Sequence, residues 1–391
     1  MNALKEFPRD SQGLITPYGG ELKNLIIGNE TFKEKLISQV NSKHECSERN
    51  ACDVELLMIG AFSPLEGFMG EIDYKSVIKD KKDSKGYLFG LPIVFDSNNS
   101  KTKIGEKILL TFKGQQIAIL EVDSIWEPDK SIEAKFCYGT NSVDHPAVKM
   151  IFHERGRFYL GGKIYGLELP KREFPCKTPS EVRTSLPPNH DVVAFQCRNP
   201  IHRAHYELFT NALNSENVSK NAVVLVHPTC GPTQQDDIPG KTRYLTYKKL
   251  SEEISTEFIK WAFLPYSMHM AGPREALQHM IIRRNYGCTH FIIGRDMAGC
   301  KSSKTGEDFY GPYDAQNFAK ECTKELNMEI VPSKNLVYTK EKGYITAEEA
   351  KDKNYEIMKL SGTEFRKKLR NGEPIPEWFA FKSVVDVLRK S

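Results

Sequence analysis

From Asp191 onward, short apolar runs alternate with stretches of helical pattern, and this alternation leaves few possible folds. Residues 191–195, 221–226, 261–264 and 289–293 are rich in β-branched and other apolar side chains and read as buried strands. Residues 273–284 and 314–326 read as helices, the first with Pro273 near its start. Strand-then-helix order predicts a parallel sheet with helices on both faces. Ligands of such a Rossmann-like α/β domain sit beyond the carboxyl ends of the strands.

Residues 1–168 lack that order. Short strands are expected at 88–89, 91–95, 107–112, 116–122 and 158–160, with turn residues such as Lys113-Gly114 between them. Residues 54–60 and 74–80 read as helical. A small β-barrel with some helices fits best. The string SPLEGFM, Ser63 to Met69, reads as a turn with apolar anchors and a structural role. Pro170, Pro175, Pro179, Pro187 and Pro188 mark an extended connector.

The densest polar string, QCRNPIHRAH, follows the first strand of the α/β part and spans Gln196 to His205. Asn199 and Pro200 read as a helix start, where free N–H groups and the helix dipole favour an anion. His202 and His205 are three apart and share a helix face. Arg198 and Arg203 add fixed charge, so the string offers donors suited to phosphate oxygens. No third and fourth ligand stands nearby to make the histidines a metal pair. The second strand runs into a polar loop, 227–239, and the fourth into Gly294-Arg-Asp-Met-Ala-Gly299. Glycines at both ends of that last loop allow close backbone approach to a ligand.

Net charge is only +4 over 391 residues, which argues against a nucleic-acid partner. Nine scattered cysteines without CxxC read as reduced thiols. No apolar run has membrane-spanning length, and the start, MNALKEFPRD, resembles neither a signal nor a transit peptide. A cytoplasmic protein with no membrane partner is expected.

QCRNPIHRAH is similar to the QTRNPxHRAH signature of the ATP sulfurylases (sulfate adenylyltransferases), relatives of the HxGH nucleotidyltransferases. SPLEGFM resembles their SPLxGFM, the 227–239 loop their HPxxGxTKxDDIP with Gln234 or Gln235 near the usual lysine, and Gly294–Gly299 their GRDHAG. Gly306 to Asp314 follows their wording too. The segment from Ser361, SGTEFRKKLRNG, resembles their SGTxxRxxLxxG, although a basic helix is usually only a solvated face. The resemblance implies a PUA-like β-barrel domain at 1–168, an adenylyltransferase domain at 169–326 and a small α+β domain at 327–391. No GxxxxGK[ST] string occurs, so a stand-alone form without an adenylylsulfate kinase domain is expected.

The implied reaction joins ATP and sulfate to give adenosine 5′-phosphosulfate and diphosphate. Carried over residue by residue, Gln196, Arg198 and the backbone of Ala298 would hold sulfate. Gln196, Cys197, Arg198, Asn199, His202, His205, Gly294, Arg295, Asp296, Met297 and Leu336 would line ATP. Cys197, Arg198, Asn199, His202, His205 and Arg295 would form the catalytic set. Mg2+ would arrive with ATP, no protein-bound zinc is expected, and the form would be a homodimer or larger homo-oligomer. Two departures stand out: Cys197 replaces the family's Thr, and Met297 replaces the His of GRDHAG. Rival readings are another adenylyltransferase of the superfamily, or a PUA-type RNA-binding protein with a degenerate nucleotide site.

Overall fold

The computed structural model describes residues 4–233, 237–254 and 256–391. Six strands build the first sheet: β1 (Ser42–Glu45), β2 (Gly67–Phe68), β3 (Phe95–Ser97), β4 (Lys107–Phe112), β5 (Gln115–Trp126) and β6 (Phe158–Gly166). Their order is β1-β4-β5-β6-β2, with β3 also on β6, and every pair except β1–β4 is antiparallel. β4 matches its sequence expectation residue for residue. The expected strand at 91–95 joins the ladder only at Phe95 and continues through Asp96 and Ser97 against β6. SPLEGFM is structural. The Ser63 hydroxyl bonds the Gly60 carbonyl at 2.6 Å, and Phe68 and Met69 are buried.

The second sheet holds β7 (Val192–Phe195), β8 (Val223–Val226), β9 (Ile259–Trp261), β10 (His290–Ile293) and β11 (Glu329–Pro332). All its pairs are parallel, in the order β11-β10-β7-β8-β9. Alternation along each strand explains why these runs are apolar throughout. Val192, Ala194, Val223 and Leu225 enter the core shared with the first sheet, while Val193, Phe195, Val224 and Val226 enter a second core. β11 lies beyond the expected 326/327 boundary, yet it is an edge strand of this sheet. β9 ends at Trp261 rather than Leu264, which instead forms a lone bridge to Thr229. A small sheet, β13 (Gly343–Thr346), β12 (Leu336–Thr339) and β14 (Ile357–Met358), follows. Among the described residues, no helix is long and apolar enough to cross a membrane.

The connector contains a short helix, Pro179–Thr184, started by a reciprocal cap between Thr178 and Glu181. One feature of the strand order positions the site. From β7 the chain winds outward through β8 to β9, then returns to place β10 on the other side of β7. The winding therefore reverses between β7 and β10, the point where open α/β sheets bind ligands.

Candidate active site

The turns leaving β7 and β10 meet. Residues 196–199, residues 294–298 and Leu336 of β12 all border one cleft of about 380 Å³. His205 borders it too, whereas His202 does not. A larger cleft of about 940 Å³ adjoins it, shares Arg198 and Arg295–Met297, and reaches the Pro146–His153 helix of the first domain.

The first turn is held from behind by its carbonyls. The Cys197 carbonyl accepts from the Thr229 N–H at 3.0 Å, and the Arg198 carbonyl from Arg243 at 2.9 Å. The Asn199 carbonyl accepts from the Tyr247 hydroxyl at 3.0 Å. A trans peptide points its N–H opposite its carbonyl. Pinning the carbonyls of Cys197 and Arg198 therefore turns the N–H groups of Arg198 and Asn199 away from that support. Neither N–H has a hydrogen bond among the described residues. Two adjacent free N–H groups are donors available to an anion. In the second turn, Asp296 and Ala298 take left-handed backbone angles, φ 58° and 52°. The Ala298 carbonyl is satisfied by the Gly272 N–H at 3.0 Å, while its own N–H has no partner among the described residues.

Helix geometry differs from the sequence expectation. The helix after the first turn is Arg203–Ala212, with His202 as its cap residue, so Asn199 and Pro200 belong to the turn before it. One first-turn donor is already used: the Arg203 N–H bonds the Phe379 carbonyl at 3.1 Å. His202 stacks between His205, with centroids 3.8 Å apart, and Phe379 at 5.6 Å. It thus backs His205 instead of facing the cleft. Burial lowers the His202 pKa to about 4 and holds His205 well below its ordinary value, with the neighbouring imidazole adding to the effect. His205 Nδ1 lies 3.5 Å from the His202 N–H, which favours the neutral form with its proton on Nε2.

Arg198 is ion-paired with Asp237, and Arg295 Nε lies 3.1 Å from its neighbour Asp296. A guanidinium has five N–H donors, so each arginine can keep this partner and still grip an oxyanion. The Cys197 thiol faces the Tyr247 hydroxyl at 3.8 Å, and burial pushes it up to about 12. Its one hydrogen is directed to Tyr247, and burial favours the protonated thiol. Met297 is half-buried and packs against the main core. Gln234 and Gln235 lie outside the described residues.

The residues that sequence reasoning missed stand behind the turns. Arg243 and Tyr247, one helical turn apart on the Gly240–Glu253 helix, are fully buried. Arg243 also bonds the carbonyls of Thr229 and Gly231, at 2.9 and 2.8 Å. Their i, i+4 spacing was the available signal, but it reads equally as a solvated face.

A family model described as ATP-sulfurylase matches residues 175–391, and one described as PUA-like domain matches residues 15–169. The chain belongs to the ATP-sulfurylase family. A sulfate adenylyltransferase of Phaeosphaeria nodorum is 40% identical over 389 residues, covering 96% of this chain and 67% of that protein. One of Schizosaccharomyces pombe is 41% identical over 384 residues, covering 95% and 77%. A solved structure titled as a hexameric APS kinase from Thiobacillus denitrificans superposes with a TM-score of 0.75 at 24% identity, covering 96% of this chain and 68% of that one; it shows the shared fold. The family's mixed α/β architecture, with its PUA-like N-terminal part, is the one expected from the sequence.

Proposed function

We propose that the cleft between the β7 and β10 turns transfers the adenylyl group of ATP to sulfate, making the chain a sulfate adenylyltransferase. The observation that carries this reading is the meeting of two donor-rich turns at the winding reversal of the sheet. In the reaction a sulfate oxygen bonds to the α-phosphorus, and the bond to the α–β bridging oxygen breaks. The electron pair leaves on diphosphate. Sulfate is already a dianion, so no base is needed and no covalent intermediate is required. What the site must supply is proximity of two repelling anions and donors aimed at the charge that develops.

Arg198, the Gln196 amide and the free Ala298 N–H are suited to hold sulfate. Residues 196–199 and 294–297, with Leu336 at the far wall, are suited to line the nucleotide. His205 would donate from Nε2 as a neutral group, with His202 fixing its ring, and Arg295 would add charge. Asp237 and Asp296 are each paired with an arginine. No group of three or more His, Cys, Asp or Glu is arranged to hold a metal among the described residues. Mg2+ would arrive with the ATP phosphates, which supply most of its oxygen ligands. A cytoplasmic location and assembly into a dimer or larger homo-oligomer complete the reading.

The test is diphosphate release from ATP and Mg2+ with and without sulfate. Release should depend on sulfate, and Arg198→Ala should lower it by about 100-fold or more with an unchanged circular dichroism spectrum. Release that needs another acceptor, or near-normal turnover by the variant, would refute the assignment.

A further inference from the structure

Directly behind Gln196 lies a guanidinium with no exposure to solvent, Arg283 of the Pro273–Asn285 helix. It meets His279 Nδ1 at 2.8 Å, donates to the His227 carbonyl at 2.8 Å and donates to Gln196 Oε1. No carboxylate is ion-paired with it among the described residues. Burial pulls its pKa down to about 10, so it stays charged at neutral pH. His227 and His279 are held neutral, first by burial and then by this same charge. A core position without a counter-ion is an unfavourable place for a cation, so its location needs a reason.

The reason lies in the inventory of groups. Arginine only donates, so the acceptor oxygen of Gln196 must face it. The NH2 of the same amide is then turned from the guanidinium, toward Met268, which borders the cleft together with Gln196. One of its hydrogens bonds the Cys197 carbonyl at 3.0 Å; the other has, among the described residues, only the Met268 thioether, at 3.9 Å. A thioether is a weak acceptor that an anion oxygen readily displaces. We propose that Arg283 is a positioning residue that locks the Gln196 amide with its donor toward the cleft and its acceptor away. This inference rests on the sulfate reading above and deepens it: the locked amide favours a tetrahedral oxyanion without protons. Hydrogen phosphate carries an O–H that would seek the very oxygen Arg283 occupies.

The experiment compares wild type, Arg283→Lys, Arg283→Met and Gln196→Glu in the diphosphate-release assay, with inorganic phosphate as competitor. Wild type without sulfate-dependent release would sink the functional reading itself, before any variant is compared. With wild type active, Arg283→Met should raise KM for sulfate about tenfold or more, leave KM for ATP within about twofold, and strengthen phosphate inhibition relative to sulfate. Arg283→Lys, which still donates but lacks the fork, should fall between. Gln196→Glu turns an acceptor-only group toward Arg283. It should lose sulfate-dependent turnover while its melting temperature stays at or above that of wild type. Equal rises in both KM values, an unchanged sulfate KM, or a lower melting temperature for Gln196→Glu would overturn the inference.

Discussion

His202 and His205 show how a spacing of three residues becomes chemistry only after packing. On the sequence they share a face; in the fold their rings stack at 3.8 Å. Two imidazolium ions would repel at that distance, and burial already disfavours the charged form of each. The folded pKa values therefore lie below the ordinary value of about 6.5. Below that value the unfolded chain binds more protons than the folded one. The stability these rings supply is full above about pH 6.5 and is lost as pH falls through their lowered folded values, about 4 for His202. In a titration followed by NMR, neither imidazole should change its shift between about pH 8 and about pH 5.5. An inflection near 6.5 from either ring would show that the stack does not hold them neutral.

At the scale of elements, the Gly240–Glu253 helix has a role that its pattern did not announce. Arg243 supplies donors to the carbonyls of Arg198, Thr229 and Gly231, tying together the loops that leave β7 and β8. Arg243→Met leaves those buried acceptors without their partner and should cost on the order of 3 kcal/mol or more. Turnover should fall with it, because the freed carbonyls no longer aim the N–H groups of Arg198 and Asn199. Tyr247→Phe removes the bond to the Asn199 carbonyl and the weaker contact with the Cys197 thiol, and should cost about 1–2 kcal/mol. Denaturant titration with the diphosphate assay checks both, and a wild-type rate in Arg243→Met would detach this helix from the site. Elsewhere local pattern was a good guide. Asp314–Leu326 is helical over its full expected range because its apolar residues lie on one face.

At the scale of the molecule, the Pro273–Asn285 helix joins the two large parts. All its residues after the first proline are buried, polar ones included. Arg274 donates to the carbonyls of Gly90, Ile78 and Val77 in the first domain, at 2.6 to 3.0 Å. Asn285 accepts from the Tyr18 N–H and donates to the carbonyls of Ala61 and Ser63. The SPLEGFM turn is thus one end of a strut that continues to β10. Arg274→Ala should destabilise both parts together by about 3–5 kcal/mol, since buried acceptors on the far side lose their donor. Calorimetry should show one transition moved to lower temperature. Two separated transitions, with only the second moved, would mean that the helix belongs to the catalytic part alone.

Read alone, the sequence determined the alternating β/α order, most strand positions and the two donor-rich turns, because side-chain period and turn chemistry are local properties. The QCRNPIHRAH string could be recognised for the same reason: its meaning lies within ten consecutive residues. Only the tertiary structure decided that β7 and β10 are neighbours, and so that turns about a hundred residues apart share one cleft. It also decided that His202 backs His205, and that Arg243, Arg274 and Arg283 serve from the interior. Strand order is set by which apolar faces pack together across the whole chain. A buried arginine is specified by carbonyls far away in sequence, which leave no periodic trace around it.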